Sequence, residues 1–195
     1  MRPGSAGAAL LAVIGVAACT GSRPGGAPEP VALLAAGQSA GSDHLFLLEA
    51  TGTVPGDTTI DFDPAIGRTL ILRHRAPDDA IFLILTVPAH AVVARSGRDA
   101  RITVLPVPGA YGFHLTTLDS LGPGITATFS YARHFEAPAG AIVRYGSAIA
   151  FETALGAARY TSETQLQILS SARPGANMIR FPVTIGGTYV LVAPR

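Results

Sequence analysis

The chain has 195 residues, with 14 Lys or Arg, 13 Asp or Glu, and a single cysteine. The formal net charge of +1 argues against the basic surface that nucleic-acid binding requires. One cysteine also excludes an internal disulfide, so a folded domain must be stabilised by packing alone.

The first predicted element is a lipoprotein signal peptide over residues 1–18. Arg2 precedes an uncharged run from Ala8 to Ala18, which is the order of a secretory signal. The run is too short to span a bilayer, since about 20 apolar residues are needed. Residues 16–19, VAAC, resemble the lipobox of bacterial lipoproteins, in which the signal is cut before the cysteine and the cysteine is acylated.

The resemblance implies that Cys19 carries a lipid anchor. An ordinary signal peptidase would also accept Val-Ala-Ala, which leaves a secreted protein with an unmodified thiol as the alternative. The lipoprotein is favoured because the one cysteine stands where the lipobox requires it. Thr20 resembles the second residue of Gram-negative lipoproteins sorted to the outer membrane, which is the expected location in such a host.

A flexible tether is predicted over residues 19–42, because the segment TGSRPGGAPEP is rich in Gly and Pro and poor in apolar residues. The following GQSAG, Gly37–Gly41, matches the nucleophile elbow of serine hydrolases. That elbow follows an inner strand of a parallel sheet, and the chain shows no alternation of strands and helices. We therefore interpret GQSAG as a flexible loop and predict no catalytic residue, with a hydrolase using Ser39 as the least favoured alternative.

A single domain is predicted over residues 43–195, where short apolar runs are separated by Gly, Pro, Asp and Ser. This rhythm predicts an all-β antiparallel sandwich, Greek-key and immunoglobulin-like in general architecture. In ITATFSY the residues 125, 127, 129 and 131 should share the buried side of one strand. AIFLILTV, residues 80–87, is apolar throughout and predicts a central strand. Short helical turns are expected within residues 31–40 and 147–158.

Side chains that bear chemistry are scattered along this domain. The histidines stand singly, without the spacing of zinc or copper ligands, and are expected to be structural or exposed. They are His44, His74, His90, His114 and His134. Asp57, Asp61 and Asp63 lack the order of a calcium-binding EF-hand loop, which favours a solvated strand face over a calcium site. No metal and no cofactor are predicted.

The aromatic residues fall mostly on alternating faces or beside turns, which predicts core packing instead of a platform for sugars. This prediction covers Tyr111, Phe113, Phe129, Tyr131, Phe135, Tyr145, Phe151, Tyr160, Phe181 and Tyr189.

The order of LTVPAHAV, RITVLPVPGAYGFHL, ITATFSYA and residues 165–194 resembles the β-sandwich domain of ankyrins, netrin receptors and zonula-occludens proteins. The resemblance covers about residues 80–195 and implies a binding or structural module without catalytic residues. Some eukaryotic relatives cleave themselves at His-Phe-Ser. Here His134 and Phe135 are followed by Glu136, which is no nucleophile, and Thr188 lacks an adjacent histidine, so self-cleavage is not expected.

The sequence therefore predicts a lipoprotein of the cell envelope that acts as a non-catalytic binding or structural module. Its expected partners are the membrane, through the lipid, and an envelope protein or glycan. The alternative is a lipoprotein that binds a glycan or small molecule in a deep, aromatic-lined groove.

Overall fold

A computed structural model describes residues 34–95 and 99–195, so the signal peptide, Cys19 and most of the predicted tether lie outside it. The described chain consists of short strands and two α-helices, and its sheets are antiparallel. The strands are β1 (Ser39–Gly41), β2 (Leu45–Leu47), β3 (Glu49–Ala50), β4 (Thr58–Phe62), β5 (Arg68–Arg73), β6 (Ile81–Val87), β7 (Val92–Val93), β8 (Ala100–Pro106), β9 (Gly112–Thr116), β10 (Ser120–Leu121), β11 (Thr126–Ser130), β12 (Phe135–Glu136), β13 (Gly156–Tyr160), β14 (Gln165–Ile168), β15 (Ala172–Gly175), β16 (Met178–Pro182) and β17 (Gly187–Pro194). The helices are α1 (Ala139–Tyr145) and α2 (Ala148–Ala154).

Two sheets face each other, which confirms the predicted all-β sandwich. The larger sheet has the order β1-β14-β13-β17-β9-β8-β4, with β2 also paired to β17. The smaller sheet has the order β15-β16-β11-β6-β5. β7 pairs with β10 and β3 pairs with β12 in two further short ribbons.

Four connections cross between the two sheets at the same end of the sandwich. They join β4 to β5, β6 to β8, β9 to β11 and β16 to β17. The strand registers place these connections together, because Phe62 pairs with Ala100 in the larger sheet and Thr126 pairs with Thr86 and Pro182 in the smaller one. We call this the loop end.

Aromatic rings fill the space between the sheets. The Phe113 ring lies 5.2 Å from that of Tyr189 and 5.5 Å from that of Phe129, and the Phe181 ring lies 5.7 Å from that of Tyr189. All Phe and Tyr side chains of the protein are buried or half-buried. The predicted core role of the aromatic residues is therefore confirmed.

The period-two pattern of β11 is also confirmed, since Ala127 and Phe129 are fully buried in the core. β6 lies between β11 and β5, as expected of an inner strand. Phe82 and Leu83 are both buried although they are adjacent, because the register with β5 shifts between Leu72 and Arg73. Such a bulge turns two successive side chains toward the same side.

The helices differ in how well the sequence predicts them. α2 lies inside the predicted segment, and the Ser147 side chain accepts a hydrogen bond from the Ala150 amide at 3.1 Å, as an N-cap residue does. α1 is not predicted. It ends at Gly146, whose φ of 76° is the left-handed conformation that glycine adopts readily.

The domain begins earlier than the predicted boundary at residue 43. Ser39–Gly41, expected to be part of a loop, forms β1 and pairs with β14, while Leu34 packs against buried side chains. No helix forms over residues 34–40, where a turn leads directly into the strand. The pattern of GQSAG is too short and too rich in glycine to reveal an edge strand, whose stability comes from its neighbour.

Candidate functional site

A groove with a volume of about 710 Å³ lies at the loop end. We call it the loop-end groove. Its walls come from β4, β8 and β9 and from the connections that follow β7 and β9. The lining residues are Asp61, Arg95, Asp99, Arg101, Thr103, Thr116, Thr117, Leu118 and Asp119.

Strand register brings the polar groups of this groove together. Thr103 on β8 pairs with Thr59 on β4 and with Thr116 on β9, so three threonines form a row across the sheet. The hydroxyls of Thr59 and Thr103 are hydrogen-bonded at 2.9 Å. Because side chains on one face recur every second residue, Asp61 and Arg101 follow on the same face as this row.

Asp61 and Arg101 form a two-pronged ion pair on the groove wall. Arg101 donates from Nε to Asp61 Oδ1 at 2.7 Å and from Nη2 to Asp61 Oδ2 at 3.0 Å. The hydrogen bond from Arg101 lowers the pKa of the Asp61 carboxyl. Both side chains are substantially exposed, so the pair shapes the surface more than it stabilises the fold.

The rim of the groove is held in place by backbone hydrogen bonds. The Asp119 carboxylate accepts from the Arg95 amide at 2.9 Å and from the Arg101 amide at 2.8 Å. Thr117 Oγ1 donates to the Arg101 carbonyl at 2.8 Å. These contacts fix a loop that presents Leu118 to solvent, where 82% of its surface is exposed.

A second groove of about 550 Å³ shares Asp99 with the first. It is formed by the β4–β5 connection and by the segment around β7, including His90 and Val93. Exposed apolar side chains stand on the connections at the loop end, and we call this set the loop-end patch. It consists of Ile66, Val93, Leu118 and Ile185.

The acidic residues singled out in the sequence have different surroundings in the fold. Asp61 pairs with Arg101, and Asp63 Oδ1 accepts from the Ala65 amide at 2.8 Å in the turn after β4. Asp57 is exposed at the start of β4. Within residues 34–95 and 99–195, no group of three or more His, Cys, Asp or Glu side chains could hold a metal ion.

Ser39 lies in an edge strand, opposite Gln167 of β14. A 3-10 turn over Ser42–His44 follows it. A nucleophile elbow instead requires a sharp turn from a strand into an α-helix. The local structure around Ser39 is therefore that of an edge strand.

Two histidines that are separated by 60 positions in the chain meet in the fold. The rings of His74 and His134 lie 4.6 Å apart, and His134 Nε2 contacts the Asp78 carboxylate. His74 is only 2% exposed, with Nδ1 3.2 Å from the Thr53 carbonyl and Nε2 3.2 Å from the Tyr111 hydroxyl.

This polar cluster joins four segments of the chain, around Thr53, His74, Tyr111 and Arg133. Tyr111 donates to the Arg133 carbonyl at 2.5 Å, and Arg133 Nη1 donates to Asp78 Oδ1 at 2.8 Å. Burial lowers the pKa of His74, and the hydrogen bond from His134 lowers the pKa of Asp78. The contacts tie chain segments to one another, so we interpret the cluster as a structural brace.

The other histidines stand apart from the cluster. His114 Nδ1 is hydrogen-bonded to Thr188 Oγ1 at 2.8 Å between β9 and β17, while His44 and His90 are exposed. The sequence predicted structural or exposed histidines, and these positions confirm it. The pairing of His74 with His134 was missed, because single histidines give no signal of which loops will meet.

No protein-family model matches the chain, and no curated protein or solved structure is significantly similar to it. Across the part of the chain that the structure describes, the helices are too short to cross a bilayer. Function must therefore be inferred from the geometry of the surface and from the motifs of the sequence.

Proposed function

We propose that this protein is an envelope lipoprotein, anchored through Cys19, whose β-sandwich binds a protein partner at the loop end. The proposal rests on the combination of the two open grooves, the hydrogen-bonded ion pair of Asp61 with Arg101, and the exposed loop-end patch. Protein interfaces combine an apolar centre with a polar rim in this way. Leu118 would supply an apolar contact, and Arg101 with Asp61 would supply the rim.

The location of the aromatic rings favours a protein partner over a glycan. Sugar-binding grooves use exposed aromatic faces, whereas the loop-end groove is lined by Thr, Asp, Arg and Leu. All Phe and Tyr side chains are buried or half-buried, and the chain has no Trp. A glycan-binding or small-ligand-binding lipoprotein is therefore the second candidate.

The hydrogen bonds of the groove support a non-catalytic role. The carboxylates of Asp61 and Asp119 both accept hydrogen bonds from Arg101, through its side chain and its amide respectively. A general base must instead be available to a substrate proton. The resemblance to sandwich domains of ankyrins and netrin receptors implies a binding or structural module without catalytic residues, which supports the same kind of role.

The anchor accounts for a stable attachment to the membrane. Each buried methylene contributes about 0.8 kcal/mol, and two or more acyl chains hold a protein on a bilayer far longer than one. Mature bacterial lipoproteins carry three chains on the cysteine. Thr20 after Cys19 favours the outer membrane in a Gram-negative host.

Site-specific photo-crosslinking in native envelopes tests the proposed interface. A photoreactive residue in place of Leu118 should form one dominant adduct with an envelope protein. The same residue in place of Ile71, which is exposed on β5 away from the loop end, should not form it. Leu118→Asp should weaken recovery of that partner about tenfold, the equivalent of roughly 1.4 kcal/mol, because it places a charge in the apolar centre of the interface.

Equal adducts from both positions would contradict an interface at the loop end. Calorimetric binding of cell-wall glycans that Leu118→Asp abolishes would instead support the second candidate. Labelling with radioactive palmitate tests the anchor separately. The wild type should incorporate it and Cys19→Ala should not.

A further inference from the structure

Helices α1 and α2 present an apolar surface that the fold does not use. Val143 of α1 is 86% exposed, Ile149 of α2 is 77% exposed, and Ile142 of α1 is 37% exposed. We call these three residues the helical patch. Arg144 is the one charged residue of α1, and Glu152 is the one charged residue of α2.

Other side chains hold the two helices on the sandwich. Phe151 and Ala141 are fully buried, and the Phe151 ring lies 5.6 Å from that of Tyr145. Tyr145 donates its hydroxyl proton to the Pro194 carbonyl at 2.7 Å. Arg173 Nη2 donates to carbonyls at the end of α2, including that of Leu155 at 2.9 Å. The helical patch points away from these contacts, so its apolar character is not explained by packing.

The described chain enters the domain close to α2. Gly37 donates its amide to the Ile168 carbonyl at 2.8 Å, and Ile168 pairs with Ala158 of β13. β13 begins two residues after α2 ends at Ala154. With strands about 4.8 Å apart and residues about 3.3 Å apart, no more than about 25 Å separates this entry point from the end of α2.

The lipid anchor lies at a limited distance from that entry point. The segment between Cys19 and Leu34 spans at most about 50 Å even when fully extended. The bilayer surface is therefore within reach of the helical patch. Tethering makes such a second contact intramolecular, with an effective concentration in the millimolar range, so a weak apolar contact is sufficient.

We propose that the helical patch inserts into the interface of the bilayer that holds the lipid anchor. This inference rests on the proposed lipidation of Cys19. Exposed apolar side chains with an Arg and a Tyr close to them in the sequence, here Arg144 and Tyr145, are typical of surfaces that lie in the lipid headgroup region. A second copy of the chain is a poorer occupant, because two helices of seven residues offer far less than the roughly 1,200 Å² of a stable dimer.

This contact would orient the whole domain. Tyr145 binds Pro194 at one end of β17, whereas the loop end lies beside Gly187 at the other. Eight strand residues separate these ends by about 25 Å. A membrane contact through the helical patch therefore leaves the loop-end groove facing away from the bilayer.

Fluorescent labelling of the full lipidated protein in phosphatidylethanolamine and phosphatidylglycerol vesicles tests the proposal. A lipidated Cys19 has no free thiol, so Val143→Cys provides a single site for an environment-sensitive dye. The matched control is Leu118→Cys, which is equally exposed at the loop end. The dye at position 143 should emit at shorter wavelength and be quenched several-fold less by aqueous iodide than the dye at position 118.

The outcomes separate the two proposals. If the wild type takes the thiol dye and fails to float with vesicles, the anchor is absent and the proposed function fails first. The wild type could instead float with the vesicles and take up no dye, which shows that the anchor is present. If the dyes at positions 143 and 118 are then quenched equally, the helical patch does not touch the bilayer. Disulfides between protomers of Val143→Cys would assign the patch to a second copy and also overturn the inference.

A further substitution tests whether the dye alone, instead of the helical patch, enters the bilayer. Ile149→Asp added to Val143→Cys should return iodide quenching to the level of the control, because it places a charge within the helical patch that is proposed to enter the apolar interface. Ile149 is exposed, so this substitution should leave the circular dichroism spectrum unchanged. Persistent protection of the dye in this variant would contradict the inference.

Discussion

His74 is the residue whose surroundings differ most from those that the sequence suggests. Its side chain is 2% exposed and lies between the Thr53 carbonyl, the Tyr111 hydroxyl and the ring of His134. A neutral imidazole has one N–H and cannot donate to both oxygens. Burial nevertheless disfavours the charged form, which lowers the pKa of His74 below its ordinary 6.5.

Stability should therefore fall as the pH is lowered below about 6.5. In that range the unfolded chain binds a proton at His74 that the folded chain does not bind, so protonation favours unfolding. The free energy of unfolding should be highest above pH 6.5 and decline as the pH falls through the folded pKa of His74. Urea titrations between about pH 7.5 and pH 5 measure this decline.

His74→Gln should flatten the decline, since glutamine can still hydrogen-bond but does not titrate. His90→Gln, on the exposed surface, serves as the matched control and should retain it. Asp78 acts in a different range, because its lowered pKa affects stability only below its ordinary value of 3.8. An unchanged slope in His74→Gln would show that the pH dependence arises elsewhere.

At the scale of the element, the turn between β4 and β5 shapes one wall of the loop end. Gly67 has a φ of 76°, and a Cβ there would lie 2.6 Å from the Val87 carbonyl oxygen and 2.6 Å from the Ala89 nitrogen. Gly109 has nearly the same φ, 75°, but a Cβ there would meet no atom within 4 Å. A comparison of alanine substitutions at the two positions therefore separates the cost of a left-handed backbone from the cost of a steric clash with neighbouring backbone atoms.

Gly109→Ala should cost about 1 to 2 kcal/mol of unfolding free energy, the usual penalty of a left-handed alanine. Gly67→Ala should cost more, roughly 3 kcal/mol, because backbone atoms must also move. Chemical denaturation of both variants measures the difference. Equal losses would mean that the β4–β5 turn relaxes without affecting β6.

Strands were easier to predict than helices for a physical reason. Runs such as ITATFSY alternate because one side of β11 packs on the core, and that alternation is visible in the sequence. α1 has only seven residues and one fully buried side chain, Ala141, so it carries too little periodicity to be recognised. Its position depends on tertiary contacts such as that of Tyr145 with Pro194.

At the scale of the whole molecule, the sequence indicated the fold class but not the surface that the folded chain presents. The loop-end groove joins residues from Asp61 to Asp119, which strand register and the hydrogen bonds of Asp119 bring together. The residue pattern of one strand does not show which residues of the neighbouring strands it will pair with. The same limit applies to the beginning of the domain, which the composition of residues 20–42 placed too late.

Residues 34–42 complete a second, smaller cluster of buried side chains on the larger sheet. Leu34 and Ala40 pack against this cluster. Its buried members are Leu45, Ala158, Leu166, Ile168, Val190 and Val192. Ile168 also donates its amide to the Gln38 carbonyl at 2.8 Å. Removing this segment would expose the edge of β14 and uncover part of the cluster.

A protein that begins at residue 43 should therefore be less stable than one that begins at residue 34. Loss of two apolar contacts and several backbone hydrogen bonds should cost about 2 to 3 kcal/mol, or roughly 5 to 10 °C in Tm for a domain of this size. Calorimetry of the two soluble proteins measures the difference, with the protein that begins at residue 34 as the control. Equal Tm values would place residues 34–42 in the predicted tether after all.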